Sequence, residues 1–545
     1  MFFKSKERGT AVDHGPETHH AFEDSKPEES HVESIRHFQV HYEIDPTLSK
    51  RLDRKFDVHI IPWLFGIWLF AFIDRSNIGN AKIDGLLEDL DMVTGTKFNV
   101  ALLVFYIPYI LVDVPSNWIV KKVRAGVYLP TLITCWGIVS TFLGFTKSFA
   151  GLVICRLLLG LFEGGLLGGI VVYLAMFYRR HQMLYRIGLF YCAAPLSGAF
   201  GGLLATGLAT IRHGGYNRWP WIFFGKSYSN HVRPDVEGAI TTVFGVTCFF
   251  FMPSTPADAK FLTTDERTQA MRRLREDSHG ATDVEDVNEE HFSWHWVRMA
   301  VLAPQTYFCT LAWIFLLIPL YSFSLFLPSI IQGLGYRSTT QIQLLTVPPN
   351  IAAFLVVLAT SALSDKIKAR GPVMAVGSIV ALCGYVMILA SKSSNVRYGG
   401  TFLIATGVFP GSAMIMGWLS NNLAPHYVRA TGVGLLIGLA NTSAFPATFI
   451  YLQKDAPDYV LGHSVCVGSL VLCCATVCLQ MLYCRWENSK RERGDRDERL
   501  HGNRVHLLGH RHPSLSVHHI SFKLLVLVQA MKNAQSIMLL PVAVI

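Results

Sequence analysis

Charge is scarce in this 545-residue chain: Asp, Glu, Lys and Arg make up 16% of it, against 51% for hydrophobic residues. An ordinary globular domain carries about 25% charged residues, and here the apolar positions gather into runs of about 20, the length that crosses a ~30 Å hydrocarbon core. Cysteine is missing from the polar parts. All 11 cysteines lie inside or at the edges of the apolar runs, so an extracellular disulfide framework is excluded and they read as small buried residues. Nucleotide and hydrolase motifs are missing too. Gly225-Lys226-Ser227 echoes the end of a phosphate loop, but the place of its upstream glycine is held by Pro220; Gly432, Gly434 and Gly438 have neither the spacing nor the preceding strand of a dinucleotide turn. The spans contain no HExxH, GxSxG or paired catalytic aspartates. The chain is therefore expected not to be an enzyme and to use no cofactor and no metal; His510, His512, His518 and His519 read as a solvated tail. The net charge of +9 is mostly juxtamembrane and suits anionic lipid rather than nucleic acid. No cleavable signal peptide is expected.

Twelve spans can be drawn, at about 58–80, 99–120, 127–146, 150–176, 184–209, 236–253, 304–331, 341–364, 372–391, 400–423, 430–451 and 464–484. The fold class expected is an all-α, multi-pass membrane protein in a lipid bilayer. Residues 1–56, polar and with no amphipathic run recognised, read as a disordered tail. Residues 57–253 and 304–485 form two sets of six spans. Between them, 254–303 is a loop with the acidic EDVNEE and a short amphipathic piece, TTDERTQAMRRLRE; 486–545 is a second tail. Lys and Arg cluster at 50–55, 121–124, 178–180, 365–370, Arg429 and after 484, all on one side if the spans alternate, which places both termini in the cytoplasm. Arg212, Arg218, Lys226 and Arg233 run against that pattern.

The charges inside the spans carry the chemistry. IDRSNIGNAK (73–82) sets Asp74 and Arg75 at the far end of the apolar helix IIPWLFGIWLFAF. Such a residue costs at least ~2.5 kcal/mol to insert and marks a site facing protein or water; the plainer reading is an interfacial anchor. Span four reads CRLLLGLFEGGLLGG, in which Arg156, Gly160, Glu163 and Gly164 share one helix face with the charges ~10 Å apart along the axis. GxxxG spacing at Gly160/Gly164, Gly164/Gly168 and Gly198/Gly202 reads as close helix packing. Depth puts Asp74 level with Arg156. An Asp74–Arg156 pair would leave Arg75 as an unpaired cation for a carboxylate ligand, and Glu163, nearer the midplane, as a protonatable acid. Those are the parts of an anion/proton symporter.

DRSNIGNAK, YIPYILVDVPSN, RLLLGLFEGG, GAFGGLLA, PSTPADAKFLTTDER, YSFSLFLPSIIQGLGY, LLTVPP and DAPDYVLGH together resemble the fungal anion:cation symporters of the major facilitator superfamily, the allantoate and nicotinate permease group, over about residues 55–500. That resemblance implies two six-helix bundles around a central cavity with alternating access. It implies proton coupling at Asp74 and Glu163 and carboxylate binding at Arg75 and Arg156. The expected cargo is a small organic anion moved with protons, by a protein that works as a monomer in the plasma membrane. A second reading keeps the fold but makes the chain a non-transporting nutrient sensor, which would bind without accumulating.

Further side chains follow from position. Tyr106, Tyr109, Tyr321, Trp418, Asn421 and Asn441 could offer donors to a ligand's oxygens or simply join helices. Gating is expected of Asp113, where the family usually has Glu, and of Asp365 and Arg370. The polar insert 225–235 interrupts what in the family is one continuous WPWIFFVEG stretch leading into span six. The apolar pieces after about 514 are too short to span alone.

Overall fold

The computed structural model describes residues 46–81, 86–92, 96–179, 182–209, 236–279, 293–336, 338–367, 369–424, 426–452 and 455–495. The insert 225–235, the tail after 514 and residues 1–45 lie outside the described residues. Everything regular among the described residues is helical. The first set of spans is α2 (Ile61–Ala81), α3 (Lys97–Val123), α4 (Ala125–Leu143), the broken helix α5 (Phe149–Glu163) and α6 (Leu166–Ala175), the broken helix α7 (Met183–Tyr191) and α8 (Ala193–Ala209), and α9 (Val236–Phe251). Past α10 (Thr264–His279) and α11 (Trp294–Val301) come α12 (Pro304–Gly333), α13 (Thr339–Ile367), α14 (Gly371–Ala390), α15 (Ser394–Asn422), α16 (His426–Ala440) with its short extension α17 (Ala444–Phe449), and α18 (Val460–Glu492). Nine helical stretches among the described residues are long and apolar enough to cross a membrane by themselves. The polar-bearing α3, the broken α7–α8 and the shorter α9 complete the expected twelve. Leu111, Phe250 and Leu482 are 70%, 77% and 59% exposed, the outward apolar belt that lipid rather than water solvates.

Two seams join the bundles: α8 runs along α13, and α3 runs along α16. Glycine makes the approach possible. A Cβ on Gly198 would stand 2.8 Å from the Asn350 amide, and one on Gly202 2.8 Å from the Gln343 carbonyl. Gly164 packs α5 onto α3 in the same way, 2.6 Å from the Tyr109 carbonyl. Gly160/Gly164 and Gly198/Gly202 are thus packing surfaces, as their spacing suggests.

One element departs from expectation. Residues 46–59, assigned mostly to the tail, form α1 (Pro46–His59), whose Leu52 and Phe56 are fully buried. Phe56 stands edge-on to Phe177 at 5.5 Å, and the Arg273 guanidinium lies 5.2 Å from its centroid. Arg273 of α10 donates to Asp53 at 2.6 Å and to the Phe177 carbonyl at 3.1 Å. Asp57 accepts from Arg186 at 2.9 and 3.0 Å and from the Tyr178 hydroxyl at 2.9 Å. The amphipathic piece in the central loop is α10, and it opens on a capping box: the Thr263 amide donates to Glu266 at 2.9 Å while the Glu266 amide reaches the Thr263 hydroxyl at 3.4 Å. Lys55 adds a 2.7 Å ion pair to the same carboxylate, and Arg51 one at 3.4 Å. Burial would raise the Glu266 carboxyl, but the Lys55 and Thr263 hydrogen bonds and the Lys55 and Arg51 charges outweigh it and hold it below its ordinary range. α1, Tyr178, Arg186 of α7 and α10 therefore lock together on one face of the molecule, the basic face.

Candidate functional site

Arg75, near the end of α2 and one turn from Phe72, turns toward α3 and α5. There the Arg75 guanidinium sits 5.2, 5.4 and 5.0 Å from the rings of Phe72, Phe105 and Tyr109, a geometry in which each ring face attracts the cation. Its Nη2 approaches Glu163 Oε1 to 2.5 Å. The contact is one of charge more than of aligned hydrogen bonding, since neither atom meets hydrogen-bond angles. Both side chains are buried, 10% and 2% exposed, and Glu163 is the last residue of α5, immediately before the break at Gly164–Gly165.

This arrangement corrects the expectation that an Asp74–Arg156 pair leaves Arg75 without a partner. Arg75 is not an unpaired cation: Glu163 is its partner, while Asp74, on the other side of α2, accepts from the Ser140 hydroxyl of α4 at 3.1 Å. Arg156 is buried, 4% exposed, and lies in the field of both Asp74 and Glu163. Level along the membrane normal was legible from residue counts. Azimuth, which decides partners, was not.

Two cavities meet at Arg75. Arg75, Phe72 and Tyr321 line both. The larger, about 640 Å³ including its mouth, is also lined by Tyr106, Ser197, Asn350 and Phe409. The smaller, about 270 Å³, is lined by Trp68, Tyr109, Tyr191, Trp313 and Asn441. Since α12 leads away from the basic face, Trp313 near its start and Pro328 near its end place the smaller cavity on the basic-face side and the larger on the other. Tyr321 donates to the Asn441 side chain, whose own amide donates to the Ile437 carbonyl at 2.7 Å, and its ring is 5.5 Å from that of Tyr106.

Tyr106, Tyr109, Tyr321 and Asn441 thus gather with Arg75 and Glu163, as does Arg156 at one remove. Trp418 and Asn421 do not. Both sit in the basic-face end of α15, and neither lines either cavity; Trp418 is packed where a Cβ on Gly371 would meet its ring at 2.9 Å. Arg370 is close by, donating to the Gly417 carbonyl at 2.7 Å. Asp365 lies on α13, and its side chain is outside the described residues. Asp113 is fully buried on α3 facing α16. Reading the sequence missed Phe72, Phe105 and Phe409, which look like ordinary span residues, and Ser140, Ser197 and Asn350, which only the closing of the bundles brings near. No cluster of three or more metal-binding side chains occurs among the described residues.

Twelve helices in two bundles, closed over a buried ion pair in a central cavity, are the architecture of a membrane transporter. The sequence model of the Major Facilitator Superfamily matches residues 64–451, and the chain belongs to that family; it is a transporter rather than an enzyme. An uncharacterized transporter of Schizosaccharomyces pombe is 36% identical over 451 residues, covering 82% of this chain and 86% of its own. The high-affinity nicotinic acid transporter of Saccharomyces cerevisiae is 29% identical over 82% of this chain and 80% of its own. Among solved structures, the proton:xylose symporter XylE superposes with a TM-score of 0.56 at 14% identity, over 77% of this chain and 95% of that one. A likeness at that identity speaks for the fold alone.

Proposed function

We propose that the chain imports a small organic carboxylate together with protons, by alternating access, across the plasma membrane with both termini in the cytoplasm. The observation that carries the reading is the Arg75–Glu163 contact at the junction of the two cavities. Arg75 can satisfy one carboxylate at a time. While Glu163 is ionised it holds the guanidinium, and an anionic substrate has no cation to bind. A proton taken by Glu163 from outside releases Arg75 to the substrate's carboxylate, and the two-pronged donor then fixes it. Once the cavity faces the cytoplasm, Glu163 loses that proton to water, reclaims Arg75 and displaces the substrate. Proton and anion move together because one guanidinium serves two carboxylates in turn. Asp74 supports the exchange by biasing Arg156, which in turn lies in the field of Glu163.

The walls narrow the substrate class. Phe72, Tyr106, Tyr321 and Phe409 line the larger cavity and suit a flat ring better than a ureide chain, and the nicotinic acid transporter of yeast is among the relatives. A planar aromatic monocarboxylate of nicotinate type is accordingly our first choice over allantoate, carried by a single monomer. The test is a competition panel in cells expressing the chain: labelled nicotinate challenged with unlabelled aromatic acids, allantoate, and nicotinamide as the uncharged control. Inhibition by aromatic acids and none by nicotinamide supports the reading. Binding without accumulation would favour the sensor.

A further inference from the structure

One carboxylate takes no part in that exchange. Asp113 is fully buried, and among the described residues neither of its oxygens has a hydrogen-bond partner of ordinary geometry. It lies on α3 one turn beyond Tyr109, toward the basic face, where α3 meets α16 of the other bundle. A Cβ on Gly438 would stand 3.7 Å from Asp113 Oδ2, and the Gly438 backbone is the polar group that comes near. The titratable groups facing it are two phenols, Tyr109 of α3 and Tyr128 of α4, the second hydrogen-bonded to Ser116 at 2.7 Å. From α5, Glu163 is turned to Arg75. α6 and α17 carry no charged side chain, and the cation of α16, Arg429, donates to the Leu423 carbonyl at 3.3 Å.

A buried carboxylate ion with no cation beside it and no hydrogen bond of ordinary geometry is costly by several kcal/mol, while the neutral acid is not. The closed seam therefore holds Asp113 as the acid. Two features make that proton mobile. Asp113 stands one helical turn from Tyr109, a wall of the smaller cavity, so water there can deliver a proton. The seam that buries it joins the two bundles, so parting α3 from α16 on the basic face exposes it to water. We propose that Asp113 carries a second transported proton, loaded by way of the cavity and released to the cytoplasm when the α3–α16 seam opens. The O–H bond breaks to water, the carboxylate remains hydrated while the seam is open, and resealing requires a proton again. The inference rests on the symport reading for its direction but not for the protonation itself.

Two measurements test it separately. Infrared spectra of the purified protein in lipid at neutral pH should show a protonated-carboxyl carbonyl stretch that loses one group's intensity in both Asp113→Asn and Asp113→Ser; spectra unchanged by both substitutions overturn the proposal. In proteoliposomes with a one-unit pH gradient and the membrane potential clamped at zero, each coupled proton contributes about tenfold to accumulation. Asp113→Asn should lower the steady-state accumulation of labelled nicotinate about tenfold and Asp113→Glu should restore it. An unchanged ratio with an unchanged pH profile overturns the transported role. Should the chain carry no carboxylate, the infrared result still decides the protonation, so failure of the substrate reading is distinguishable from failure of this one.

Discussion

At Arg75 the geometry of the guanidinium matters as much as its charge. Its planar fork faces Glu163 while ring faces surround the rest of it, and an ammonium group can neither bridge two oxygens nor stack in that cage. Arg75→Lys should therefore reach the membrane in normal amounts but lose carboxylate uptake by ~30-fold or more, the ~2 kcal/mol lower bound for losing one partner of a buried charge pair. Quantified surface protein beside initial uptake rates checks this, and near-normal uptake by the lysine variant would reduce Arg75 to an anchor. The same residue shows where sequence runs out. The charges in spans one and four, and their membrane depth, stand in plain view in IDRSN and CRLLLGLFEGG. Which carboxylate Arg75 takes depends on the rotation of α2 against α5, which no spacing within either helix reveals.

At the scale of single elements, the break between α5 and α6 positions Glu163. Gly164 lets α5 lie on the backbone of α3, and any side chain there must displace Tyr109 and with it the wall of the Arg75 cage. Gly164→Ala should cost about 1–3 kcal/mol of packing and lower both the amount of folded protein and its uptake. Gly468→Ala, where a Cβ meets nothing within 4 Å, should be silent, and thermal-stability scans in detergent read the difference. α1 and α10 offer a pH test away from the membrane. Because the Glu266 carboxyl titrates below its ordinary 4.5 when folded, its contribution to docking is full above that value and is lost as pH falls beneath it. The protection factors of the α10 amides, exchange rates referred to the intrinsic rate at each pH, should fall on acidification through that range. Glu266→Gln should exchange faster already at neutral pH and show a smaller change on acidification; protection indifferent to both would contradict the latch. Among the described residues, nine of the twelve spans are legible from apolar run length alone; the polar residues of α3, the break between α7 and α8 and the shortness of α9 weaken that signal in the other three. α1 was not, because its buried stripe of Leu52 and Phe56 is interleaved with KRLDRK and reads as a charged tail until Phe177 and α10 are there to receive it.

For the molecule as a whole, in the proposed cycle proton and substrate alternate at one cation between two bundles that part along the α3–α16 and α8–α13 seams. The family and its twelve-helix layout could be read from motifs. The two cavities could not, since Tyr106, Tyr321, Asn350 and Asn441 come from four helices of both bundles, and only their closure makes a site. The central claim is that Glu163 must lose a proton to eject the substrate from Arg75. It is tested most directly with Glu163→Gln, which mimics the permanently protonated acid, in vesicles preloaded with unlabelled nicotinate and in empty vesicles with an imposed pH gradient. The expected result is counterflow of labelled nicotinate at close to the unsubstituted rate, together with loss of concentrative uptake and of its dependence on external pH. Undiminished concentrative uptake by Glu163→Gln would contradict it.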